Sequence, residues 1–223
     1  MAKKGIFINN LKTHSDLSAQ EFRKKFKNAQ LSLNTSADVV IKDSTFDQNG
    51  YNCLEIGLND KMTPPANVTI TNCHFKSELT NNAILIFGTQ NNAVITIKDC
   101  TFNKISNLLR LSNRTNARNV TVNIENCSVE QWETNPTWAG FLLFEDHVSK
   151  NMEEFNQQKR FDPTKLTINV VNLTHKGEHI LPSDLASVTN TKKLDQLIMM
   201  VVDKADNAFP PYSKDIFPTI NFK

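Results

Sequence analysis

Two carboxylates close to two tryptophans are the groups in this 223-residue chain best suited to chemistry on a sugar. Glu133 and Asp146 flank a loop that also bears Trp132 and Trp138, and cleavage of a glycosidic bond needs two carboxyls roughly 5–10 Å apart. The tryptophans could stack on sugar rings or anchor a protein contact. They could equally cover the apolar flank of a strand. A second group, Glu55 and Arg110 with Arg114 and Arg118, reads as an outward-facing charged stripe, but nothing marks one member as a base. The histidines His14, His74, His147, His175 and His179 are scattered. His175 and His179 are separated by Lys176-Gly177, which breaks any helix that would put both on one face. There is no phosphate-cradling glycine loop, no Gly-x-Ser-x-Gly and no Cys-x-x-Cys, so no catalytic residue, cofactor or metal ligand is assigned.

Any such groups need a scaffold, and the composition narrows what it is. Twenty-five Lys+Arg against 23 Asp+Glu, with 39% hydrophobic residues, exclude a disordered tail and a strongly basic nucleic-acid coat. The chain has only 6 Gly and 8 Pro but is rich in Asn and Thr. An all-β chain usually turns on glycine, so another residue must make its turns. No apolar run reaches the ~18–20 residues of a bilayer span, and the short N-terminal run Ile6-Phe-Ile8 does not read as a secretory signal.

One phrase is written repeatedly. Val39-Val-Ile-Lys-Asp-Ser-Thr-Phe46, Val68-Thr-Ile-Thr-Asn-Cys-His-Phe75, Ile95-Thr-Ile-Lys-Asp-Cys-Thr-Phe102 and Val122-Asn-Ile-Glu-Asn-Cys-Ser-Val129 share apolar-x-Ile-x-Asp/Asn-Cys/Ser-x-Phe/Val, recurring after 29, 27 and 27 residues. A weaker copy, Ile168-Asn-Val-Val-Asn-Leu-Thr-His175, follows an insertion. The alternation is that of a strand with one buried face. Second apolar runs follow at Cys53-Leu-Glu-Ile56, Ala83-Ile-Leu-Ile-Phe87, Leu108-Leu-Arg-Leu111 and Phe141-Leu-Leu-Phe144. A repeat of about 27 residues with two or three short strands predicts a parallel β-solenoid of about five coils.

In a solenoid, equivalent residues stack at the ~4.8 Å strand spacing. Ile41, Ile70, Ile97 and Ile124 then form an interior aliphatic ladder, and Phe46, Phe75 and Phe102 an aromatic one continued by Val129. Asp43, Asn72, Asp99, Asn126 and Asn172 fall at the bend, where Asn and Asp tolerate the left-handed backbone that glycine would otherwise supply. Ser44, Cys73, Cys100 and Cys127 form a column of small side chains. Three cysteines on one wall cannot surround an ion, so they read as buried thiols.

The flanks differ from the repeat. Residues 1–35 read as an N-terminal strand and a capping helix within Ser15–Gln30, with Ser15 or Ser18 as N-cap, Glu21 completing a capping box, and Leu17, Phe22 and Phe26 on one face. Its basic run Arg23-Lys-Lys-Phe-Lys27 reads as a solvated face rather than a phosphate site. Residues 36–181 are the solenoid, with an insertion at about 133–164. Residues 182–223 form a C-terminal cap and extended tail whose Phe209, Tyr212 and Phe217 are candidate contacts, packed over the open end or across a neighbouring subunit.

Period and ladders together resemble the right-handed parallel β-helix (pectate-lyase-like) superfamily over about residues 36–146 and the coil at 165–181. That fold carries lyases, hydrolases, adhesins and virion proteins alike. The Asp-Asp and Gly-His-Gly of its polygalacturonase-like members do not occur. The chain is similar to small β-helical structural proteins of tailed-phage particles. This resemblance implies a capsid decoration, fibre or baseplate component, assembled in a host cytoplasm, contacting capsid or tail proteins and itself as a homo-oligomer such as a trimer. The alternative is a glycan-binding or glycan-cleaving β-helix.

Overall fold

The first three copies of the phrase each form two short strands hinged at the Asn or Asp, and the last two each run as one longer strand through the same hinge. A computed structural model describes residues 5–26, 29–48, 52–58, 66–77, 82–87, 91–105, 107–113, 119–132, 142–146, 165–180, 198–202 and 219–223. In chain order, β1 (Gly5–Asn9) and β2 (Lys12–His14) precede α1 (Ala19–Phe26) and β3 (Ala29–Thr35). Three triplets follow: β4 (Asp38–Lys42), β5 (Thr45–Gln48) and β6 (Asn52–Leu58); β7 (Val68–Thr71), β8 (His74–Ser77) and β9 (Asn82–Phe87); β10 (Val94–Lys98), β11 (Thr101–Ile105) and β12 (Asn107–Asn113). Next, β13 (Val120–Trp132) runs unbroken through two strand positions before β14 (Leu142–Asp146), and β15 (Leu166–His175) does the same before β16 (Glu178–His179). The last two are β17 (Ile198–Val202) and β18 (Thr219–Phe222).

The triplets stack in parallel. One sheet runs β1-β4-β7-β10-β13-β11-β8-β5-β2, and β15, β16 and β18 extend it beyond β13; a second runs β17-β14-β12-β9-β6-β3. The chain is therefore all-β, with a long parallel sheet that curls around an axis and one buried apolar cluster drawn from both sheets. Among the described residues, no helix is long and apolar enough to cross a membrane.

Register makes the columns. Ile8, Ile41, Ile70, Ile97, Ile124, Val170 and Phe222 align, and so do Ile6, Val39, Val68, Ile95, Val122, Ile168 and Ile220. From Ile41 through Ile124 the first column is wholly buried. Burying each such side chain contributes about 1.5–3 kcal/mol before conformational entropy is subtracted. Phe46, Phe75 and Phe102 stack nearly parallel, with ring centroids 5.0 and 5.2 Å apart. The hinge residues Asp43, Asn72, Asp99, Asn126 and Asn172 have φ of 50–52°, and Asn10 has 57°. Along this column Asn72 Nδ2 donates to Asp43 Oδ1 at 2.6 Å, Asn126 Nδ2 to Asp99 Oδ1 at 3.1 Å and Asn172 Nδ2 to Asn126 Oδ1 at 3.1 Å.

Both ends depart from the five-coil reading. β1, β2 and β3 already pair with β4, β5 and β6, so the stacks begin at Gly5 rather than near residue 36. α1 interrupts this first repeat between β2 and β3. Its start is a capping box: Glu21 Oε2 accepts from the Ser18 backbone N–H at 3.0 Å and from the Ser18 hydroxyl, while Ser18 Oγ accepts from the Glu21 N–H at 3.4 Å. Phe22 is fully buried. At the far end, β18 adds a further parallel strand to β15, and β16 folds back antiparallel on it through a turn at Lys176-Gly177 with φ of 52° and 83°. Most of the 133–164 insertion and residues 203–218 of the tail lie outside the described residues.

Candidate functional site

Since the inward columns fill the core, any binding chemistry falls to the outward ones. On the first-strand stack two such columns run side by side: Asp38, Asn67, Val94, Thr121, Thr167 and Thr219, and beside them Phe7, Val40, Thr69, Thr96, Asn123, Asn169 and Asn221. From Asn67 and Thr69 onward neither contains an ionisable side chain. Rungs lie ~4.8 Å apart and alternate residues along a strand ~6.7 Å apart, which makes a regular grid dominated by hydroxyls and amides. Asn169 Nδ2 donates to Asn123 Oδ1 at 2.8 Å, and Asn221 Nδ2 to Asn169 Oδ1 at 2.9 Å, so the amides are held in one orientation. The next outward column carries charge, with Lys98 Nζ 3.1 Å from Glu125 Oε2. Phe7, at one end of the grid, is 76% exposed.

The second-strand stack carries a small charged cluster. His14 Nε2 lies 2.6 Å from Asp16 Oδ1 and its Nδ1 3.2 Å from Asp47 Oδ2, while Lys76 Nζ is 3.9 Å from Asp47 Oδ1. The hydrogen bond to Asp16, then that to Asp47, raises the His14 pKa above the ordinary 6.5. A raised folded-state value means that the imidazolium's contribution to stability is complete below the unfolded pKa and is lost as pH rises through the folded one. An NMR titration of the His14 ring is therefore expected to give a midpoint above that of His175, which burial pushes down. Asp16→Asn should move the His14 midpoint downward; an unmoved midpoint would refute the pairing.

The sequence-derived candidates fare unevenly. Glu55, expected to face outward, is instead 9% exposed within a strand buried along its whole length. Its carboxylate accepts from Asn52 Nδ2 at 3.4 Å and from the Ser32 hydroxyl at 3.5 Å. It is held by local hydrogen bonds and does not join a surface stripe. Arg110 is half-buried, two rungs from Glu55 with Leu85 between them. His175 and His179 sit on facing strands of the terminal hairpin, and His74 Nδ1 lies 2.6 Å from Thr101 Oγ1. Among the described residues, no group of three or more His, Cys, Asp or Glu is placed to hold a metal ion.

Trp132 ends β13 and Asp146 ends β14, but their side chains lie outside the described residues. So do Glu133, Trp138, Arg114, Arg118, His147, Phe209, Tyr212 and Phe217 in full. Sequence reasoning missed a buried polar ladder at the start of the third-strand stack, where Asn82 Nδ2 donates to Asn52 Oδ1 at 2.8 Å. The signal for it was an Asn at the head of the first three of the four second apolar runs: Asn52, Asn82 and Asn107, in register and all buried. Compared with protein families, curated proteins and solved structures, the chain matches none.

Proposed function

We propose that this chain is a structural protein of a virion, a capsid decoration, fibre or baseplate component of a tailed phage. In this reading the stacked triplets close into a right-handed parallel β-helix, α1 caps its first coil, and the flanking segments bind other particle proteins. The observation that carries it is the continuous register of the first-strand columns from β1 to β18, which in a closed β-helix would make a stiff support able to present one surface at a fixed distance from an attachment point. Self-association, with a trimer as one arrangement, would set several rods side by side.

The test is attachment to particles. The protein is expected to co-purify with intact particles. A Phe209→Ala, Tyr212→Ala, Phe217→Ala triple variant, which leaves β18 untouched, is expected to lower bound protein by at least about tenfold, equivalent to 1.4 kcal/mol. Wild-type protein absent from particles would overturn the virion reading. Undiminished binding of the triple variant would overturn the tail as the attachment element.

A second reading, glycan recognition, is favoured by the uncharged Thr/Asn grid, whose hydroxyls and amides suit a neutral saccharide. Incubation with host capsule and lipopolysaccharide separates binding from cleavage: released oligosaccharide or unsaturated product at enzymatic rates would replace the structural reading.

A further inference from the structure

Cys73, Cys100 and Cys127 occupy one column on three successive rungs, joined by backbone hydrogen bonds from Thr101 N to Cys73 O and from Ser128 N to Cys100 O, each 3.0 Å. All three are free thiols and buried. Their side chains repeat one geometry. Each donates to the carbonyl two residues earlier, on Thr71 at 3.3 Å, Lys98 at 3.1 Å and Glu125 at 3.3 Å. Each also approaches a carbonyl of the preceding rung, on Ile41 at 3.9 Å, Ile70 at 3.7 Å and Ile97 at 3.6 Å. Identical orientation keeps the sulfurs in line at about the strand spacing. Opposed residues on neighbouring strands, ~4.8 Å apart, fall within the ~4.4–6.8 Å Cα separation that disulfides use.

We propose that this column is an oxidative modification site, at which a peroxide converts one adjacent pair of thiols into a rung-to-rung disulfide with Cys100 as the obligatory partner. Cys73 and Cys127 are two rungs apart, ~9.6 Å, too far to bond to each other. Only Cys73–Cys100 or Cys100–Cys127 can form, and each chain keeps one of the three as a thiol. The electrostatics favour entry at Cys127, whose interaction with the Cys100 side chain holds its pKa below the ordinary value. Cys100 is pushed up to about 12, chiefly by its interaction with the Cys127 side chain, and Cys73 is pushed up by its interaction with Cys100 and by burial.

Hydrogen peroxide is barely larger than water and reaches the column when a strand pair opens locally. The Cys127 thiolate attacks one peroxide oxygen, the O–O bond breaks and hydroxide leaves, giving a sulfenic acid. The Cys100 sulfur then attacks the Cys127 sulfur. The S–O bond breaks, and the departing hydroxyl takes up the Cys100 proton as water. Two electrons pass from the thiol pair to the peroxide, which ends as two waters once the first hydroxide recovers the proton that Cys127 had lost.

The test uses the full-length protein, purified reduced and then treated with hydrogen peroxide. One disulfide is expected, read as a loss of about 2 Da that dithiothreitol reverses and as a linked peptide pair containing Cys100. Cys100→Ser should form none, whereas Cys73→Ser and Cys127→Ser should each still form one. Serine fits the column: Ser44 occupies the preceding rung, its hydroxyl donating to the Lys42 carbonyl at 2.7 Å. Wild-type circular dichroism from each variant confirms that it folds. A disulfide in Cys100→Ser, a bridge that includes Cys53, or a wild-type chain that stays reduced while the unfolded chain oxidises would overturn the assignment.

Discussion

Phe75→Ala is expected to destabilise the protein by about 3–5 kcal/mol, the range for emptying a buried aromatic site. The ring is 1% exposed and lies between Phe46 and Phe102, so its removal takes away two stacked contacts and leaves a cavity the rungs cannot close. Parallel strands held at a fixed spacing on both sides have little freedom to collapse inward. Phe46→Ala loses one of these ring contacts and is expected to cost less; its other neighbour in the column is Thr13. Urea unfolding of the two variants gives the comparison directly. A Phe75→Ala loss below about 1 kcal/mol, or one smaller than that of Phe46→Ala, would mean that the column relaxes in a way its geometry does not suggest.

These columns were legible because a parallel stack turns a sequence period into a spatial one. Ile41, Ile70, Ile97 and Ile124 recur at 27 to 29 residues, and adjacent members pair in that register. The first repeat was harder to see, although Ile6-Phe-Ile8-Asn-Asn10-Leu-Lys-Thr13 carries the same alternation with Asn10 at the hinge. It lacks the terminal Phe, and α1 separates its second and third strands, which disguises the spacing. The final strand at Thr219–Phe222 was hidden in the same way, since a tail with scattered prolines gives no period and only Ile220-Asn-Phe222 echoes the motif.

Glu55 shows where alternation fails. A period of two assigns inward and outward faces relative to one sheet, but whether the outward face meets water depends on what else packs there. Leu54 and Ile56 mark the core side correctly, and Glu55 is buried all the same. The Thr/Asn grid was illegible for a related reason. Thr and Asn at outward positions look like ordinary solvated residues until the register places Thr121, Thr167 and Thr219 above one another.

The hinge column offers the sharper test of why so glycine-poor a chain folds this way. Asn126 has a φ of 50°, accepts from Asn172 and donates to Asp99, so both a backbone conformation and two side-chain hydrogen bonds rest on it. Asn126→Val is expected to cost about 2–4 kcal/mol: a β-branched residue pays roughly 1–2 kcal/mol to enter the left-handed region, and two exposed hydrogen bonds add about 0.5–1 kcal/mol each. Asn126→Gly keeps the backbone conformation and loses only the side-chain bonds, so it should cost about 1–2 kcal/mol. Asn126→Asp, which still accepts from Asn172 but places a carboxylate beside Asp99, should lie between them and recover toward Asn at acidic pH as the carboxyls protonate. Thermal unfolding of the three variants checks the order. If glycine proved as damaging as valine, the column would be valued for its amide ladder alone, and the left-handed hinge would not be what the Asn and Asp residues supply.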